Sequence, residues 1–131
     1  STLRPYHGVQ WLENRGRRGF VSHNLIRYYG AFSPIPADLD KDGDIDIVVT
    51  SLVNDWADES RRSLIWLEND GAQQFTAHGI ASSPTHLVSA DVADIDGNGH
   101  LDIVAGGLHM FPPYNRLGRV TVWANQGLLG Q

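Results

Sequence analysis

Hydrophobic positions in this chain fall in short runs bounded by turn residues, and no stretch keeps a helical period for more than one turn. The runs 45–50 and 101–105 are β-branched and nearly continuous in apolar character, the pattern of strands buried on both faces. Segments 8–13, 64–68 and 119–124 predict a further strand each, ending in asparagine and glycine turn chemistry, and 20–26 and 75–80 return as the next strand. Segments 31–37 and 86–93 predict strands that run into two acidic loops. The expected elements are therefore strands and turns throughout.

The same pattern recurs at a fixed spacing. Val9-Gln10-Trp11-Leu12-Glu13-Asn14-Arg15-Gly16, followed by Phe20 and His23, reappears 55 residues later as Leu64-Ile65-Trp66-Leu67-Glu68-Asn69-Asp70-Gly71, followed by Phe75 and His78. A third copy aligns Asn125 and Gly127 with Asn69 and Gly71 at a spacing of 56. There Val122 stands in the place of Trp66, so Trp123 is expected on the opposite strand face. Trp11 and Trp66 are the equivalent pair, read as packing between neighbouring sheets, and His23 and His78 as strand-pairing residues.

One repeat thus reads strand, acidic loop, strand, long loop, strand, asparagine-glycine turn, strand. Four antiparallel strands in about 56 residues match a β-propeller blade, and a lone four-stranded meander needs a neighbour on either face. The expectation is an all-β fold of about two to two and a half blades. Residues 1–30 supply the third and fourth strands of one blade, 31–81 a complete blade, and 82–131 the first three strands of the next. Such pieces do not close a ring of ~4 to 8 blades, so the chain is expected to be part of a longer propeller or to be completed by companion chains.

Charge adds the chemistry. The net charge of −5 is concentrated, because eight of twelve aspartates lie in the loops 38–46 and 94–102. The first reads Asp38-Leu39-Asp40-Lys41-Asp42-Gly43-Asp44-Ile45-Asp46 and the second Asp94-Ile95-Asp96-Gly97-Asn98-Gly99-His100-Leu101-Asp102. Alternate carboxylates around a tight turn converge on one point, the arrangement that hard cations such as Ca²⁺ require. Without a cation, five crowded carboxylates repel one another; two divalent ions would bring the net charge to about −1. An acidic chain without a basic stripe argues against nucleic acid. No run approaches the ~20 apolar residues of a membrane span, and the chain lacks cysteine, hence disulfide or thiolate chemistry.

The pairing of Asp-x-Asp-x-Asp/Asn-Gly-x-x-Asp with Trp-Leu-Glu-Asn-x-Gly and Phe-x-x-His resembles the FG-GAP, or VCBS, repeat family of β-propellers, which includes the integrin α-subunit head. The resemblance implies a calcium ion in each loop between a blade's first and second strands. By position, site one would use the side chains of Asp38, Asp40, Asp42 and Asp46 with the Asp44 carbonyl. Site two would use Asp94, Asp96, Asn98 and Asp102 with the His100 carbonyl. It also implies an extracellular or periplasmic location, with the signal sequence outside this chain.

Ligand recognition is expected on the opposite face, where the long loops 51–62 and 107–118 carry Asp55, Trp56, Phe111, Tyr114, Asn115 and Arg116. Exposed aromatics beside polar groups suit carbohydrate or protein ligands, as in an adhesion module. No nucleophile motif, His-Glu-x-x-His or phosphate-cradling loop occurs, so the chain by itself does not read as an enzyme. The alternatives are a propeller domain within a large secreted carbohydrate-active enzyme, similar to aldos-2-ulose dehydratases, and a pure scaffold.

Overall fold

The structure is a computed structural model that describes residues 7–108, 112, 116 and 119–127. Nine strands make three antiparallel sheets, and no α-helix occurs among the described residues. Strands β1 (Gly8–Asn14) and β2 (Phe20–Arg27) form the first sheet. The second contains β3 (Ala31–Ala37), β4 (Asp46–Ser51), β5 (Leu64–Asn69) and β6 (Phe75–Ala81), in sequence order. The third contains β7 (Leu87–Ala93), β8 (Asp102–Gly107) and β9 (Val120–Trp123). These are propeller-like blades, each a meander in which consecutive strands pair. A 3₁₀ turn, Gly16–Arg18, joins β1 to β2, and Arg15 beside it bonds back to Glu13 at 2.9 Å.

The middle sheet explains why its two central strands are so apolar. One side of it packs on the third sheet through Leu39, Val48, Leu64 and Trp66 against Leu87, Ile103 and Ala105. The other side packs on the first sheet through Val49, Ile65 and Leu67 against Val9 and Tyr28. A strand covered on both faces has no use for polar alternation. The outer sheets show the converse: Leu12, the counterpart of Leu67, is 59% exposed where Leu67 is 1%.

Register settles the tryptophans. Val104 pairs with Val122 as Val48 pairs with Trp66, and Ile103 pairs with Trp123 as Ile47 pairs with Leu67. Trp123 accordingly lies on the face opposite to that of Trp66, as its one-residue displacement requires, and packs back onto the cluster that contains Trp66. Trp11 and Trp66 sit directly across from His23 and His78, with ring centroids 4.6 and 4.8 Å apart. Each histidine Nε2 also lies 2.9 Å from the glutamate two positions along, Glu13 or Glu68. The histidines are thus cross-strand partners of the tryptophans.

Because strands alternate direction, the acidic loops and the asparagine-glycine turns share one end of the sheets. The long loops and the sheet-to-sheet connections share the other. At that second end Gly30 has φ +70°, and an added Cβ would collide with the Val53 carbonyl, so the chain reverses there only with glycine.

Candidate metal centre

Loop 38–46 is shaped by its own carboxylates. Asp38 accepts the amide protons of Asp42 and Gly43 at 3.1 and 2.9 Å, and Asp42 accepts that of Asp44 at 2.9 Å. Loop 94–102 repeats the scheme: Asp94 accepts from Gly97 and Gly99 at 2.9 and 2.8 Å, and Asn98 from His100 at 2.9 Å. Gly43 and Gly99, at φ +92° and +87°, supply the left-handed turn. These bonds draw the carboxylates of each loop together. Oxygens of Asp38, Asp40 and Asp42 lie within 4.8 Å of one another, and so do those of Asp94, Asp96 and Asp102.

The last aspartate of each loop has a second role that its spacing did not reveal. Asp46, wholly buried, accepts the amide protons of Leu39 at 3.0 Å and Asn69 at 2.9 Å. Asp102 does the same with Ile95 at 2.8 Å and Asn125 at 2.7 Å. One carboxylate therefore ties the loop's start to the end of the third strand. The two loops differ in that Asp46 lies outside the converging trio of loop one, whereas Asp102 belongs to that of loop two.

Asn69 and Asn125 are the functional residues that sequence reasoning treated only as turn formers. Each caps its turn, accepting the glycine amide of Gly71 at 3.0 Å or Gly127 at 2.8 Å. Their signal was the exact recurrence of asparagine at the repeat spacing. The side chains of Asp44 and His100 lie over these turn glycines: an added Cβ would be 2.9 Å from the Asp44 carboxylate at Gly71 and 2.5 Å from the His100 ring at Gly127. Side chains turned to the neighbouring turn leave only backbone carbonyls at these two positions for a cation.

The electrostatics of loop one favour the approach of a positive charge. Partial burial, then the negative charges of Asp46 and Asp42, push the Asp40 carboxyl up to about 7. Burial also raises Asp46, against the two amides that favour its anion. Asp102 is instead held below the usual carboxylate range, chiefly by the Asn125 and Ile95 amides, in a loop where Asn98 replaces one carboxylate. Flexible carboxylates and carbonyls with no nitrogen or sulfur donor suit a hard divalent ion.

A proton consequence follows. A cation entering loop one displaces the proton that Asp40 holds below pH about 7. Apparent affinity at that loop should fall by up to ~tenfold per pH unit below neutrality, and less at loop two, where Asp102 stays ionised. Calcium titrations at pH 8 and pH 6 check this; equal affinities at both would contradict it.

On the opposite face the expectations for Trp56 and Arg116 need correction. Trp56 is 5% exposed and lies on His86 with ring centroids 5.8 Å apart, so it offers no open aromatic platform. Arg116 donates to the Trp56 carbonyl at 2.8 Å and to the Ser82 carbonyl at 2.7 Å. Its guanidinium matches two backbone acceptors, which fixes the long loop against the connection to the next sheet. Asp55 is exposed and lines an open groove of about 490 Å³ with Tyr29, Val53, Asn54 and Arg61. Phe111, Tyr114 and Asn115 lie outside the described residues.

Residues 53–105 match the family described as FG-GAP-like repeat. The match runs from the long loop after β4 through β5, β6, β7 and the acidic loop to β8. No curated protein and no solved structure matches the chain significantly.

Proposed function

We propose, from the premise that residues 53–105 are an FG-GAP-like repeat, that the chain is a calcium-stabilised β-propeller segment whose opposite face binds a carbohydrate or protein ligand outside the cell or in the periplasm. The observation that carries the metal reading is the doubled cluster: three carboxylates converge in each of two loops that occupy the same place in successive sheets. Asp38, Asp40 and Asp42, with the Asp44 carbonyl and Asp46 behind them, would hold one ion. Asp94, Asp96, Asn98 and Asp102, with the His100 carbonyl, would hold the other. Bound calcium supplies charge neutralisation, and the protein uses it to fasten a blade's first strand to its second.

Support for a ligand face comes from the groove around Tyr29. This tyrosine is exposed and stacks on His7 with centroids 4.5 Å apart, while Asn54 reaches its carbonyl at 3.3 Å. A fixed aromatic ring flanked by Asn54, Asp55 and Arg61 offers both stacking and hydrogen bonds to a polyol or peptide. Among the described residues no helix is long and apolar enough to cross a membrane. Glycan and extracellular-protein arrays probed with the calcium-loaded chain test the reading. Binding that Tyr29→Ala weakens ~tenfold or more without lowering Tm is the expected result; binding indifferent to Tyr29 and Asp55 would refute this face.

A further inference from the structure

Asn98 is the only asparagine in the chain that is followed by glycine. Glycine has no Cβ to hinder its nitrogen from reaching back to the side-chain amide carbon of the residue before it, so this dipeptide closes a five-membered ring more readily than any other containing asparagine. In the first loop the same position holds Asp42, before Gly43. Loop two thus carries a reactive amide where its own repeat carries a carboxylate.

The folded loop holds each group of that reaction in place. The Gly99 amide, which would be the nucleophile, donates to Asp94 at 2.8 Å. Asn98 Oδ1 accepts the His100 amide at 2.9 Å, and Asn98 Nδ2, which would be the leaving group, donates to the Asn125 carbonyl at 2.9 Å. The last of these bonds crosses from the loop to the residues after β9, so the hold depends on the loop being seated on its sheet. A second observation concerns reactivity once that hold is released. Asn98 is exposed, and Lys41 Nζ of the first loop lies 3.6 Å from the point that a Gly99 Cβ would occupy. Water therefore reaches the site, and an ammonium beside it favours the negative charge that gathers on oxygen as the ring closes.

We propose that Asn98 is a deamidation site that the closed loop protects, so that opening of loop two starts an irreversible change at one of its own cation-facing positions. The Gly99 nitrogen forms a bond to Asn98 Cγ and gives up its proton; the Cγ–Nδ2 bond breaks, and Nδ2 leaves with that proton as ammonia. Water then opens the succinimide. Attack at Cγ gives an aspartate at position 98, as the first loop has at Asp42. Attack at the main-chain carbonyl gives an isoaspartate, whose backbone runs through Cγ and is one carbon longer. The two products act in opposite senses. A carboxylate in place of the amide adds charge for a cation, whereas the longer backbone breaks the alternate spacing on which the ligand set depends. Protection by calcium rests on the metal reading of this loop; the reactive dipeptide and the three bonds that hold it do not.

The test is a rate. A cation that binds only the closed loop lowers the open population, and with it the rate of conversion, by the factor 1 + [L]/Kd. The full chain is aged at pH 8 in calcium, in chelator and in urea, and tandem mass spectrometry follows the amide-to-acid mass change at residue 98, with an isoaspartyl methyltransferase assay for the second product. Conversion should be fastest in urea, slower in chelator, and at least ~tenfold slower again with free calcium at ~100 times Kd. Asn98→Gln, which would have to close a six-membered ring, should not convert. The isoaspartyl fraction of the aged chain should bind one calcium ion, and Asn98→Asp made directly should bind two. Equal rates in calcium and urea, or no conversion in chelator over a period in which urea completes it, overturn the proposal. Equal rates in calcium and chelator overturn it too: two ions still bound by calorimetry would leave the metal reading standing, and no ion bound would remove both.

Discussion

Chelating calcium should lower the melting temperature of this chain by roughly 15–25 °C. At a free ion concentration of ~100 times Kd each site adds about 2.7 kcal/mol to the folded state, so two sites add about 5 kcal/mol. A domain of this size moves by roughly 3–5 °C per kcal/mol. The structural reason for so large a linkage is that the loops are already formed, and that carboxylates within 4.8 Å of one another oppose that form when nothing positive lies among them. Sign matters here. In the chelated chain the Asp40 carboxyl titrates near 7, above its unfolded value, so that group's contribution is present at low pH and is lost as pH rises from about 4 to 7. The chelated chain should therefore gain stability from this group on mild acidification, while the loaded chain loses ion. Thermal scans at pH 5 and 8, with and without chelator, read both effects.

Asp46→Asn should destabilise the fold by about 2–3 kcal/mol whether or not calcium is present. Two effects compete at this residue. Burial penalises the anion, which is why its carboxyl lies above the usual range, and asparagine removes that penalty. Yet Asp46 accepts two backbone amides, from Leu39 and Asn69. Asparagine has one acceptor oxygen, so its NH₂ would face the other amide. A buried amide left without an acceptor costs about 1–3 kcal/mol, and the displaced donor adds to it. Satisfaction therefore outweighs desolvation. Asp40→Asn makes the contrast: it should weaken calcium binding but relieve repulsion in the chelated chain. Denaturant melts of both variants in chelator separate them, with Asp46→Asn shifted down and Asp40→Asn unchanged or shifted up.

Much of the fold was legible because every strand repeats its own evidence. The runs at 45–50 and 101–105 became β4 and β8, and the one-residue displacement of Trp123 translated directly into a change of strand face. Period-2 geometry makes such displacements unambiguous. The acidic loops were legible for the same reason, since spacing alone identifies residues that share the inside of a turn. What escaped were properties set between elements. Leu39 stands between two aspartates in the sequence, and only its packing on the neighbouring sheet shows that it is a core residue. Trp56 looked like an exposed aromatic in a polar loop, yet His86 and Arg116 bury it. Asp46 looked like one more ligand, while its bond to Asn69 spans 23 residues and depends on the pairing of β4 with β5. Local pattern reports a residue's own turn or strand face, and these three are decided by a distant partner.

The most direct test of the calcium clasp is a count of bound ions by isothermal titration calorimetry on the chelator-stripped chain at pH 8. The proposed function predicts two calcium ions per chain, one after Asp40→Asn with Asp42→Asn in the first loop, and one after Asp94→Asn with Asp96→Asn in the second. No heat of binding at millimolar calcium, or an unchanged count in both double variants, would contradict it.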